Sequence, residues 1–232
     1  MAVIVAIPVI GMTIIAPALT IIKNDLNISF ENTQLILTLY FTFLAFGQIL
    51  SGPFSDKYGR KPILLLGASI YAVSAFFASL SSNIEILLIL RCFQGFGAAA
   101  CLSVGRTILS DCYEIKEAAK EMSKMTAIMA VIPISCFIFG GFLAEFLGWR
   151  TNLIALGLLS LILIISISLF LKETLIKKAK SISFKNMFIV YIGLLKNLSF
   201  NFFTITTAMQ TSMFFAMNGF MPYEFERKGV SM

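Results

Sequence analysis

Seven stretches of this chain, each about as long as the ~20 helical residues needed to cross a hydrocarbon layer of ~30 Å, are nearly free of charge. Six carry none: 1–22, 32–55, 62–84, 125–144, 151–171 and 197–223. The seventh, 86–110, is interrupted only by Arg91 and Arg106. Backbone polar groups in lipid are satisfied only within helices or a closed barrel, and the apolar–polar alternation of barrel strands is absent. The expected fold is an all-α integral membrane protein with seven spanning helices. Only 13% of residues are charged, against ~25% in an average soluble domain, too few to cover the chain in water. The first run is expected to be a span and not a cleaved signal. No basic segment precedes it, its apolar part exceeds a signal core, and Pro17 lies inside it as a kink would.

Positive charge sorts by side. Lys57, Arg60 and Lys61, then Lys116, Lys120 and Lys124, then Lys172, Lys177, Lys178, Lys180, Lys185 and Lys196 follow the second, fourth and sixth runs. The alternate side holds Lys23, Arg150, Arg227 and Lys228. Short cytoplasmic loops retain lysine and arginine, so the N-terminus is expected in the cytoplasm. This asymmetry and attraction to anionic lipid account for the net charge of +6, with no need of a nucleic-acid partner. The chain has no histidine, and Cys92, Cys101, Cys112 and Cys136 lie in or at the ends of apolar runs without metal-ligand spacing. They read as small packing residues, and neither metal nor cofactor is expected. Without a Ser or Cys nucleophile motif, enzyme chemistry is not expected either.

Between the second and third runs, Gly52-Pro53-Phe54-Ser55-Asp56-Lys57-Tyr58-Gly59-Arg60-Lys61-Pro62 gathers a carboxylate, cations, turn-forming glycines and two prolines read as helix boundaries. It resembles the loop between the second and third helices of the major facilitator superfamily of secondary transporters, G-x-L-a-D-r-x-G-r-k-P, with Phe54 in place of Leu. Arg91-Cys92-Phe93-Gln94-Gly95-Phe96-Gly97 resembles R-x-x-Q-G-x-G, and Arg106 and Asp111 follow as R-x-x-x-x-D. Pro133 and Gly140-Gly141 resemble the antiporter-type P-x-x-x-P-x-x-G-G, with Phe137 at the second proline and Trp149-Arg150 after it. Lys172-Glu173-Thr174 resembles the P-E-T that closes the sixth helix. On these residues the chain is similar, over nearly its whole length, to Bcr/CflA-type drug efflux transporters in particular.

The resemblance implies a six-helix N-terminal bundle at 1–171, a cytoplasmic basic linker at 172–196, and a seventh helix opening a second half at 197–232. The rest of that half, which this sequence does not contain, would be a partner, alongside the lipid bilayer and a small-molecule substrate. It further implies multidrug export by alternating access in the bacterial inner membrane, with protons as the coupling ion. Nutrient or metabolite uptake, or a non-transporting scaffold or decayed gene fragment, stays open, because such motifs report machinery and not cargo.

The residues themselves suggest roles. Asp56 and Asp111 can hold the Arg60 guanidinium from two sides, giving a cytoplasmic gate made of Gly52, Asp56, Gly59, Arg60, Lys61 and Asp111; the alternative is a solvated loop whose cations serve only topology. Arg91 lies roughly six residues, about 9 Å, inside its run. It is either a transport or coupling residue, assisted by Gln94 at i+3, or it snorkels to the external interface. Arg106 is grouped with these two. Gly97, Cys101 and Gly105 form a small-residue stripe for a neighbouring helix; Gly95, Pro133, Gly140 and Gly141 are expected to serve packing or flexing. Thr13 stands where relatives place a carboxylate, and no Asp or Glu lies inside any run, so the residues supply no proton carrier. Met209, Met213, Met217 and Met221 recur every four residues, as an adaptable wall for apolar substrates or as lipid-facing and core packing. Phe184, Met187, Phe188, Val190 and Tyr191 belong either to an interfacial helix or to an unstructured linker.

Overall fold

The computed structural model describes residues 2–175 and 184–227. Every regular element among them is helical: α1 (Ala2–Thr13), a 3-10 turn (Ala16–Ala18), α2 (Leu19–Asp25), α3 (Phe30–Tyr58), α4 (Arg60–Ser79), α5 (Ile84–Cys112), α6 (Ile115–Leu147), α7 (Arg150–Phe170), α8 (Phe184–Leu195) and α9 (Leu198–Arg227). Six spans are long and apolar enough to cross a membrane, α1 and α2 together forming the first. The expected seventh run, 197–223, falls in α9 from Leu198 on. A seventh span is counted only when α8, from the expected linker, and α9 are taken as one in spite of the 84° bend between them. Helix starts follow local chemistry. Ser29 Oγ accepts the Asn32 amide ahead of α3, and Asn83 Oδ1 accepts the Ile86 amide ahead of α5. Two short corners, α3 to α4 and α6 to α7, turn on Gly59 (φ +113°) and Gly148 (φ +86°), a backbone region open to glycine.

The first span is broken where Pro17 supplies no amide. The chain tightens into a 3-10 turn, in which the Ala18 amide bonds the Ile15 carbonyl at 2.9 Å. That leaves the Ile14 carbonyl without its helical donor, and Asn152 Nδ2 of α7 takes it at 2.9 Å while also donating to the Gly140 carbonyl of α6 at 3.0 Å. Gly140 is bare by necessity, since a Cβ there would be driven into the Ile14 carbonyl oxygen. Gly141 only touches Pro17, and Pro133 is buried within α6. Three helices therefore meet at the break.

Around α5 the packing depends on missing side chains. A Cβ on Gly95 would strike the Tyr40 carbonyl of α3, and one on Gly97 would lie 2.5 Å from the Gly67 carbonyl oxygen and 2.7 Å from the Tyr71 amide of α4. Gly105 faces Val5 of α1. The expected stripe thus serves two neighbours, not one: eight residues advance a helical face by roughly 80° at 3.6 residues per turn, enough to turn Gly105 from α4 toward α1. Cys101 is buried in this stripe, whereas Cys112 is exposed at the end of α5 and is not a packing residue.

The last two helices sit against this bundle. The Phe30 and Phe220 rings meet edge to face at 6.5 Å, and α9 packs on the first span at its break and beyond. Met209, Met213 and Met217 are exposed; the side chain of Met221 lies outside the described residues, as do Lys177, Lys178, Lys180 and Lys228. Of the two readings for the linker, its stretch from Phe184 to Leu195 is helical, and it is seated on α3 through Tyr191.

Candidate functional site

Arg91 is the largest fully buried side chain, at 0% exposure, which excludes snorkelling. Its Nη1 donates to Gln94 Oε1 across one helical turn, as the i+3 spacing allows. Nη1 and Nη2 reach the Gly11 carbonyl of α1 at 3.4 and 3.3 Å, and Nε reaches the Ile36 carbonyl of α3 at 3.4 Å. The guanidinium lies 4.4 Å from the centre of the Tyr40 ring, whose hydroxyl donates to the Pro8 carbonyl at 2.9 Å. One charge thus fastens α1, α3 and α5 at membrane depth. Its surroundings are carbonyl dipoles and a π face; no ion pair of Arg91 exists among the described residues. A lone buried ion costs several kcal/mol, which a cation–π contact worth about 0.5–2 kcal/mol offsets only in part. Gly11 also leaves room for the Tyr71 hydroxyl beside this site, which a Cβ there would displace. Gln94 Nε2 is buried without a partner among the described residues. Thr13 is also buried and donates to the Val9 carbonyl at 2.8 Å. Arg106 is not brought to this site; it is exposed and makes no ion pair among the described residues.

The second cluster lies at one end of the bundle. The segment 52–62, expected as a loop, is mostly helix: α3 continues through Pro53 to Tyr58 and only Gly59 breaks it. Pro53 is therefore no boundary. Lacking an amide, it frees the Ile49 carbonyl one turn earlier, and the Tyr191 hydroxyl of α8 donates to that oxygen at 3.0 Å. Pro62, by contrast, sits in the first turn of α4, where a missing amide costs nothing.

Arg60 is 6% exposed and held on every side. Nε donates to Asp111 Oδ2 at 2.8 Å, and Nη1 donates to Asp56 Oδ1 and, at 2.6 Å, to Ser55 Oγ. Ser55 in turn donates to the Gly52 carbonyl at 2.8 Å, so Gly52 joins the cluster through its backbone; its Cα faces open space. Lys61 Nζ donates to the Ser168 carbonyl of α7 at 2.9 Å.

Glu173 completes the cluster and was not among the expected site residues. Its carboxylate accepts the Arg60 and Lys61 amides at 2.9 and 3.2 Å, capping α4, whose Gly59 has no side chain to do so. It also accepts the Thr174 and Leu175 amides. Burial works against its charge, but the amides of Leu175, Arg60, Lys61 and Thr174 outweigh that and hold the carboxyl below its usual 4.5. A folded-state value below the unfolded one means that the cap is fully present above pH 4.5 and is lost as pH falls through the lower value. Glu173→Ala should lower stability at pH 7 by about 1 kcal/mol or less, given partial solvent screening, and by less in acid. Thermal unfolding of the solubilised protein at both pH values checks this; an equal loss at each contradicts it.

At the opposite end, Asp25 Oδ2 accepts Trp149 Nε1 at 3.0 Å and Arg150 Nη1 at 2.8 Å, and Arg150 Nη2 reaches the Ser81 carbonyl at 3.2 Å. Both ends of the bundle are thus tied across helices.

The sequence profile of the Major Facilitator Superfamily matches residues 1–231. Among curated proteins, the chain is 31% identical over 168 residues to a bicyclomycin resistance protein homolog of Haemophilus influenzae, covering 72% of this chain and 42% of that protein. It is 30% identical over 224 residues to a chloramphenicol resistance protein of Pseudomonas aeruginosa, covering 96% and 52%. The chain spans about half the length of the curated relatives it matches. Among solved structures, a bacterial homolog of the human lysosomal transporter Spinster superposes with a TM-score of 0.78 at 18% identity, covering 100% of this chain and 55% of that one.

Proposed function

The chain belongs to the major facilitator superfamily, and from that premise we propose that it forms one half of a secondary transporter exporting drug-like organic compounds by alternating access. The observation that carries the reading is Arg60 held between Asp56 and Asp111, with Glu173 on the adjoining amides, because this joins α3, α4, α5 and the end of α7 at one face. Exposed pairs contribute ~0–1 kcal/mol each, so a cluster of this kind biases a two-state equilibrium by a few kcal/mol without freezing it. Closed, it favours an outward-facing state; opened, an inward-facing one. The lysine asymmetry supports a cytoplasmic side for this face and for the N-terminus, and bacterial relatives support a bacterial inner membrane. The relatives' names suggest cargo of the kind represented by bicyclomycin and chloramphenicol. Proton coupling would require a carboxylate from outside the interior of these spans, since Thr13 does not titrate and arginine does not release its proton.

The test is chloramphenicol accumulation in an efflux-deficient bacterium carrying the natural gene. Accumulation should fall on expression and rise again in Asp111→Asn at equal membrane abundance. Unchanged accumulation on expression refutes drug export, and an Asp111→Asn protein that still exports at the native rate refutes the gate.

A further inference from the structure

At the Arg60 end the first span and α7 part, leaving a groove of about 420 Å³ between them. Ile7 and Ile10 line one wall, Leu163 and Ile167 the other. Its single polar side chain, Ser166, donates to the Ile162 carbonyl of its own helix at 2.8 Å and offers nothing to an occupant. The rim residues Val3, Ile162 and Phe170 are 68%, 61% and 82% exposed, so the groove opens sideways at membrane depth. It ends at Leu171, and the next residue, Lys172, is exposed with no ion pair among the described residues. A second cation, Lys61, lies against the last turn of α7 at the Ser168 carbonyl.

We propose that this groove seats one acyl chain of an anionic glycerophospholipid, with its phosphate on Lys172. A gap of this size is not left empty at native packing density, and the lining has no donor or acceptor for a polar occupant. Moving an acyl chain from bilayer to groove exchanges one hydrocarbon surrounding for another, so apolar contact alone gives little selectivity. Selectivity comes from the head group: a lysine at a membrane surface favours anionic lipid by about fivefold. The geometry supplies both elements side by side, an apolar slot and, one residue past its end at Leu171, a cation without an ion pair among the described residues.

The experiment is native mass spectrometry of the purified protein titrated with dioleoyl phosphatidylglycerol or dioleoyl phosphatidylcholine, alongside thermal unfolding. Phosphatidylglycerol should bind about fivefold more tightly, and Lys172→Glu should abolish that preference. Ser166→Phe, or Ile162→Phe if the first variant does not fold, should fill the groove and remove both lipids at unchanged lipid-free melting temperature. A preference that survives Lys172→Glu overturns the proposal, as does undiminished lipid binding in the filled variants. If the groove is instead covered by protein, the filled variants lose melting temperature without losing lipid, which also overturns it.

Discussion

Arg91→Met should abolish the proposed export, read as chloramphenicol accumulation, while leaving most of the fold intact. Two opposing effects decide the stability. Removing the guanidinium relieves a buried charge that has no counter-ion among the described residues, a change that is often neutral or stabilising when an apolar side chain of similar length replaces it. It also orphans Gln94, whose Nε2 already lacks a partner among the described residues and whose Oε1 would then lose its donor, at a cost of about 1–3 kcal/mol. The single variant is therefore expected to melt a few degrees lower, and Arg91→Met with Gln94→Leu to recover that loss. Transport should recover in neither, because the tie from α5 to the Gly11 and Ile36 carbonyls is gone from both. Melting temperature and drug accumulation, measured on the same membranes, separate the two roles. Export at the native rate by the double variant would mean that Arg91 only fills space.

Gly97→Leu is expected to eliminate the folded protein. The atoms that its side chain would meet are the Gly67 carbonyl oxygen and the Tyr71 amide, both backbone, so no rotamer change relieves the clash and α4 must leave α5. Overpacking with flexible neighbours costs about 1–3 kcal/mol, and rigid neighbours place this case beyond that range. Gly52→Ala is the matched control: nothing lies within 4 Å of its Cβ, and a helical glycine replaced by alanine gains up to ~1 kcal/mol from propensity. Monodisperse protein recovered from detergent extracts should fall to background for the first and equal or exceed the native level for the second. Similar recovery of both would show that the α4–α5 contact is not limiting.

The spans were legible because a membrane leaves few solutions for a charge-free run. The Arg60–Asp56 contact was legible because it is local, four residues apart across the Gly59 corner between α3 and α4, and Asp111 because of the motif that it closes. What escaped were partners chosen by three-dimensional proximity alone. Asn152 and Gly11 sit in apolar runs with no local pattern to mark them, and each acts on a backbone carbonyl or a hydroxyl of another helix. Pro53 misled, since a proline inside a helix is tolerated when another group takes the freed carbonyl, and that group, Tyr191, lies 142 residues away. Glu173 was visible as a motif, yet its role depends on Gly59 having no side chain with which to cap α4.

The sequence distance between Arg60 and Glu173 also orders events during synthesis. The cap joins residues 113 apart. At about 5–20 residues per second, the amides that open α4 emerge roughly 6–23 s before the carboxylate that will satisfy them. Asp56 is present from the start and Asp111 arrives midway, so the guanidinium is matched in stages while the helix end waits. The nascent bundle is thus sealed at this face only once its sixth span is complete, and an insertion machine that released it earlier would deliver an unlatched protein to the bilayer.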